Sequence, residues 1–343
     1  MTADLLSMYP QELKALAVSM GEPEYRGDQI FGFLYKGVKN VADIKVLPAS
    51  FREKLAENAY IPGIAIKRKL VSKIDGTVKY LYELGDGETV ESVFMRYKHG
   101  NTMCISTQVG CRMGCAFCAS TKAGLVRSLA ASEMLLQIIA AQDDTGERVS
   151  NVVLMGMGEP LDNYDNVIRF LHLANEEKGL NIGMRHISLS TCGLVDKIDR
   201  LAEENLPITL SISLHAPNDE ERRKIMPVAH KYSVDELIGA CKRYIEKTGR
   251  RISFEYALIA GVNDSRENAE EVGRLLKGML CHLNLIPVNP IKEKSFRRSE
   301  KNDIKVFTET VEKYKITVTV RRKLGADINA SCGQLRAGEV KTD

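Results

Sequence analysis

Between residues 101 and 320 the chain alternates short β-branched runs with longer amphipathic ones, a pattern that few folds accept. Strands are expected at 103–107, 151–155, 186–190, 208–214, 252–258, 282–287 and 316–320. Helices are expected between them at 132–142, 166–177, 195–204, 234–248, 266–277 and 303–314. Regular strand–helix alternation implies a parallel sheet, either open and doubly wound or closed wholly or partly into a barrel. In each case a ligand is expected at the carboxyl ends of the strands.

The first hundred residues read differently. Leu13, Leu16, Ala17 and Met20 share a helical face before Gly21, and Ile30, Phe31 and Leu34 share another. A third short helix is expected over 51–59. From about residue 64 the period changes to two. Residues 66–73, an Asp75-Gly76 turn and 77–84 read as a β-hairpin, and a further strand is expected at 89–96. The expected organisation is an all-helical accessory domain at 1–62, a β-strand extension at 63–100 and an α/β core domain at 101–343.

The 48 basic and 45 acidic residues nearly balance, so charge announces no nucleic-acid binder. The basic runs Lys67-Arg68-Lys69, Arg297-Arg298 and Arg321-Arg322-Lys323 read as solvated faces. There is no apolar run of membrane-spanning length and no secretory leader pattern, so a cytoplasmic location is expected. In such a compartment the eight cysteines stay reduced, and clustered ones point to metal binding or catalysis.

Four cysteines do cluster. After Cys104 comes a C-x3-C-x2-C triplet of Cys111, Cys115 and Cys118, just beyond the first strand of the alternating series. Three thiolates on a short loop can ligate three irons of a [4Fe–4S] cube and leave the fourth open for a ligand. A structural zinc site is the alternative, but it needs a fourth ligand and no second cysteine pair exists. Later strand ends carry polar groups that a packed core would not want. They are Gly158-Glu159 after the second strand, Ser190-Thr191 after the third, Ser213-Leu214-His215 after the fourth, and Asn289 after the sixth. Each alone could be a satisfied loop residue; as a set at one end of the sheet they suggest a polar ligand site. Cys332 follows the last strand, and its loop is expected over the same mouth as the cysteine triplet.

The C-x3-C-x2-C loop, with Phe117 before its last cysteine, resembles the radical S-adenosylmethionine (SAM) superfamily. The whole chain resembles, more specifically, the RlmN/Cfr family of ribosomal RNA adenine methyltransferases. The matching segments are 104–118, MGMGEPLDN at 155–163, LSTCGL at 189–194, SLHAPNDEERRKIMP at 213–227, NLIPVNP at 284–290 and GADINASCGQL at 325–335. GEPEYRGDQIFGFLYKG at 21–37 resembles that family's helical accessory domain. One branch methylates C2 of the adenine and the other C8. GEP, LHAP and IPVNP stand here in their C2-type form, while Ser331 and Cys192 depart from the usual small residues.

The resemblance implies a partial (β/α)6 TIM-like radical SAM barrel with the helical domain and hairpin appended. It implies that Cys111, Cys115 and Cys118 hold the [4Fe–4S] cluster. Gly158, Glu159, Ser190, Ser213, Leu214, His215 and Asn289 would bind SAM, with Glu159 receiving the methionine amino group. Two SAM molecules serve each turnover: the first methylates Cys332, and the second yields a 5′-deoxyadenosyl radical that activates the S-methylcysteine for addition to C2. Cys104 is implied to resolve the resulting protein–RNA adduct through a disulfide with Cys332. It shares candidacy for the C2 proton with Glu91, which on local sequence could equally be a charge on an exposed strand face. The implied partners are 23S rRNA, naked or before assembly, transfer RNA as a second substrate, and flavodoxin or ferredoxin as electron donor, with the enzyme a monomer. A radical SAM enzyme on a non-RNA substrate and a zinc-stabilised RNA-binding protein are the competing readings.

Overall fold

A computed structural model describes residues 2–289 and 296–335; Pro290, the last residue of the NLIPVNP segment, lies outside them. The helical periodicity of the N-terminal region yields α1 (Pro10–Ser19), α2 (Tyr25–Leu34) and α3 (Ala49–Asn58). Leu13, Ala17, Ile30, Phe31 and Leu34 are buried as their spacing predicts. The region is not all-helical, however. A short strand β1 (Ala3–Asp4) pairs in parallel with β2 (Ala59–Tyr60), closing its two ends together. It docks on the rest of the chain through Asp4 and Ser7, both hydrogen-bonded to Ser132, and through the Arg169–Glu12 ion pair.

The hairpin follows as β3 (Ile64–Val71) and β4 (Val78–Leu84), and then β5 (Thr89–Met95), all antiparallel. β5 pairs antiparallel with β6 (Asn101–Cys104), so the extension continues the main sheet. A second antiparallel pair, β7 (Gln108–Gly110) and β8 (Leu125–Ser128), flanks the cysteine loop.

The alternating half then runs as expected. It comprises α4 (Ala131–Thr145), β9 (Val149–Leu154), α5 (Tyr164–Asn175), β10 (Ile187–Thr191), α6 (Val195–Glu203) and β11 (Thr209–Ser213). It continues with α7 (Asp219–Ile225), α8 (Val234–Thr248), β12 (Ile252–Leu258), α9 (Arg266–Leu276), β13 (Cys281–Pro287), α10 (Lys301–Glu312) and β14 (Thr317–Val320). Together the strands form one sheet in the order β14-β13-β12-β11-β10-β9-β6-β5-β4-β3. Its parallel part has seven strands joined by six crossovers, which is the (β/α)6 pattern plus a terminal strand. β14 and β3 are its two edges, so the barrel is partial.

Two differences from the sequence reading bear on function. β6 ends at Cys104 rather than residue 107, because Ile105 and Thr107 instead donate to Val153 and Met157 and lead the chain across the sheet's end. The sequence reading also lacked α7. That helix is only seven residues, capped by Asn218 and carrying acids in its first turn and bases in its last, which complements the helix dipole.

Candidate functional site

The cysteine loop is built as a compact lobe at the carboxyl end of the sheet. Gly110 closes its base with φ +76; a Cβ there would lie 1.9 Å from the Gly124 carbonyl oxygen. Cys111 N–H donates to that same oxygen, and Ala116 N–H donates to Ile225 at the end of α7. Arg112 pairs with Asp162, tying the loop to the segment after β9. Cys111, Cys115 and Cys118 all line one cavity. Burial pushes the Cys111 thiol up to about 12 and raises Cys115 and Cys118 as well. Thiols in such surroundings need a cation to hold them as thiolates.

Among the described residues, no three His, Cys, Asp or Glu side chains converge as a single bound ion would require. The three cysteines share one cavity, and three thiols there fit the ligand set of a [4Fe–4S] cube with one iron open.

The polar strand ends converge on the same cavity. Gly158, Glu159, Ser190, Ser213, His215 and Asn289 all line it, and so does Cys192. Leu214 does not: its side chain is fully buried, its N–H donates to Glu255 and its carbonyl accepts from Arg222. The glycines of the 155–163 segment have an additional cause. A Cβ on Gly156 would lie 2.5 Å from the Ile105 carbonyl oxygen, and one on Gly158 would lie 2.7 Å from Gln108. They permit close packing on the chain crossing the sheet end as well as room for a ligand.

Glu159 is 4% exposed, and burial raises its carboxyl above the usual range. Its two oxygens accept from the N–H groups of Leu161 at 3.0 Å and Cys192 at 2.7 Å, which fixes them toward the cavity. His215 adopts φ +58, and its Nδ1 accepts from Ala257 N–H at 2.8 Å. Burial, reinforced by the Arg222 guanidinium, lowers it to about 3, so it is neutral at physiological pH. Its ring meets Phe117 edge-on at 4.8 Å, joining the cysteine loop to the strand ends. Asn289 donates to the Cys332 carbonyl at 3.3 Å, while its buried Oδ1 has no hydrogen-bond partner among the described residues.

A second cavity adjoins the first. Cys104, Val93 and Tyr97 line it together with Arg298, Arg322 and Lys323. Two of the three basic runs therefore border a cavity and are not merely solvated faces; β3, which carries Lys67 to Lys69, is mostly exposed. Cys332, Asn289 and Arg321 line both cavities, so Cys332 stands on the wall between them. Burial pushes the Cys104 thiol up to about 12, with Cys332 adding to the rise and Arg321 opposing it. All eight cysteines are free, and Cys104 and Cys332 form no disulfide.

Glu91 lines neither cavity. It is buried on β5, not exposed on a strand face, and pairs with Lys79 at 2.8 Å. Sequence reasoning missed Glu255 on β12 and Arg321 just after β14, which line the first cavity, and Gln108, whose Oε1 accepts from Glu159 N–H. Arg321 sat unnoticed in a basic run; its position just after the last strand was the available signal.

This arrangement agrees with the comparisons to known proteins. Residues 105–272 match the radical SAM superfamily, and residues 3–61 match the ribosomal RNA large subunit methyltransferase N-terminal domain. A "Probable dual-specificity RNA methyltransferase RlmN" of Alkaliphilus oremlandii is 58% identical over 97% of both chains. The protein of that name from Clostridium tetani is 56% identical, over 99% of this chain and 97% of its own. Among solved structures, a radical SAM methyltransferase from Sphaerobacter thermophilus superposes with a TM-score of 0.92 at 43% identity, covering 97% of this chain and 99% of the other. The chain belongs to the RlmN family of the radical SAM superfamily.

Proposed function

We propose that this chain methylates C2 of an adenine in 23S rRNA, and an adenine of transfer RNA, by way of S-methylated Cys332. The observation that carries the reading is the place of Cys332 between two cavities, one ringed by the cysteine triplet and polar strand ends, the other by Cys104 and basic side chains. The relatives' printed names support RNA as substrate, and "dual-specificity" supports a second RNA. Basic side chains around the second cavity suit a phosphate backbone, with binding that weakens as salt rises, and the target base would be flipped out to enter.

In this reading Cys111, Cys115 and Cys118 hold a [4Fe–4S] cluster. Glu159, Ser190, Ser213, His215 and Asn289, with the backbone at Gly158, hold SAM. When bound, these groups supply the methyl donor and the one-electron chemistry that an electron-poor aromatic carbon requires. Cys332 accepts the methyl group and carries it across the wall. Arg321 borders both cavities beside it, and the guanidinium is raised above its ordinary value chiefly by Cys332. Cys104, beside the second cavity, takes the C2 proton once deprotonated; its sulfur then bonds to Cys332 Sγ as the C–S bond to the RNA methylene breaks, the proton passing to that carbon to complete the methyl group and leaving a transient disulfide. An acidic flavodoxin or ferredoxin is the expected electron donor, reaching the cysteine loop where Arg112 and Gly114 are exposed. No helix among the described residues is long and apolar enough to cross a membrane, and we read the enzyme as a cytoplasmic monomer.

The deciding experiment is anaerobic turnover with 23S rRNA fragments and transfer RNA, followed by mass spectrometry of nucleoside digests. 2-Methyladenosine is expected; 8-methyladenosine would place the chain in the C8 branch, and unmodified adenosine would overturn the reading.

Two further outcomes follow. Glu159→Gln replaces an acceptor-only carboxylate with an amide that cannot pair a ligand ammonium, so SAM affinity is expected to fall roughly 10–100-fold by calorimetry. Because Cys104 stays protonated until about pH 12, adduct release is expected to quicken about tenfold per pH unit between pH 7 and 9 as its thiolate fraction rises. A flat profile would remove Cys104 from that step.

A further inference from the structure

Cys332 is carried on a loop that the rest of the molecule grips from both sides. After the cysteine, Gly333 accepts from Ala119 N–H at 2.8 Å and Leu335 accepts from Ser120 Oγ at 2.8 Å, both on the cysteine loop. Before it, the contacts go to the turn of the β3–β4 hairpin. Ser72 Oγ and Lys73 N–H donate to the two carboxylate oxygens of Asp327 at 2.7 and 2.9 Å. Gly325 N–H donates to Asp75 at 2.9 Å, and a Cβ on Gly325 would lie 3.1 Å from the Thr77 methyl.

Lys79 completes the grip. Its ammonium donates to the Asn329 carbonyl at 3.2 Å, three residues before Cys332, and pairs with Glu91 at 2.8 Å. Both charged side chains are 8% exposed. A buried ammonium needs a counter-charge, and removing one partner of such a pair strands the other. The segment between these anchors has left-handed residues at Gly325 and Asn329, with Gly333 beyond. Such a path holds its shape only when the surroundings fix it.

We infer that Glu91 is a positioning residue: through Lys79, and together with Asp75 and Asp327, it clamps the loop that sets Cys332 between the two cavities. It reaches neither cavity itself, so its carboxylate acts on the backbone of the loop and not on a nucleobase. The hairpin extension thereby has a stated task in the site. This inference rests on Cys332 being the methyl carrier.

The test uses the full-length, anaerobically reconstituted enzyme and the variants Glu91→Gln, Lys79→Met, the double Glu91→Gln/Lys79→Met, and Asp327→Asn. Three quantities are read: the rate of Cys332 alkylation by iodoacetamide, the fraction of Cys332 methylated on incubation with SAM, and covalent RNA adduct. Glu91→Gln, Lys79→Met and Asp327→Asn are each expected to speed alkylation roughly tenfold, as loss of a loop anchor implies. Each is expected to lower Cys332 methylation without accumulating adduct. The double variant should be no worse than Glu91→Gln, because no stranded cation remains. Asp327→Asn, at the exposed end of the clamp, tests the idea should a buried variant fold poorly. Wild-type alkylation rates throughout, or adduct building up in Glu91→Gln with normal Cys332 methylation, would overturn the proposal; the latter would make Glu91 the proton acceptor. Alkylation needs no RNA, so it reports on the clamp even if the RNA reading fails.

Discussion

Cys332→Ala is expected to abolish methyl transfer, lowering product by on the order of 10⁴-fold or more, because a covalent carrier has no substitute in the site. The wall between the cavities holds one thiol that reaches both, and alanine leaves nothing there to accept a methyl group. Cys104→Ala should fail differently. Its thiol lines the second cavity and not the first, so on the proposed scheme Cys332 is still methylated and the RNA still attacked, but the adduct is not released. Gel electrophoresis with labelled RNA separates the two: covalent protein–RNA species with Cys104→Ala, none with Cys332→Ala. Full methylation by Cys332→Ala would end the S-methylcysteine scheme.

The second large effect is loss of the cluster. Cys115→Ala removes one of the three thiols proposed to ligate the cluster, and a cube left with two protein ligands is not expected to be retained. Iron should drop from about four per chain to a small remainder, with loss of the brown colour and of 5′-deoxyadenosine formation. Cys192→Ala is the informative partner. Cys192 lines the same cavity, yet its thiol and N–H are both engaged with Glu159. Iron and colour are expected to survive its loss. Equal loss of iron from both variants would mean a four-cysteine site, closed to SAM.

Much of this was legible in the sequence because it is written in local pattern. Helix and strand periods placed the alternating core, and the C-x3-C-x2-C spacing with the polar strand ends placed the first cavity. What escaped depends on contacts between distant segments. Glu91 has the same local sequence whether it faces solvent, a base or Lys79, and only the pairing of β4 with β5 decides. Arg321-Arg322-Lys323 reads as a surface run until the chain after β14 is laid across the barrel mouth beside Cys104. Leu214 fell inside a motif whose flanking residues face the cavity, while its own side chain turns into the core. The glycines of the 155–163 segment allow close packing on the chain that crosses the sheet end, a contact the local sequence does not reveal.

The anchors of the Cys332 loop also carry a consequence for the order in which the enzyme is made. The bonds from Ser72 to Asp327 and from Gly325 to Asp75 join residues 255 and 250 apart in sequence. The hairpin turn and the cysteine loop leave the ribosome early, and domains generally fold as synthesis proceeds. Cys332, the proposed methyl acceptor, takes its place only once residues 325–335 have been made, since both of its grips lie in that segment. On the proposed scheme, the hairpin and the cysteine loop are made before the residues that grip Cys332, so placing the carrier thiol follows their synthesis.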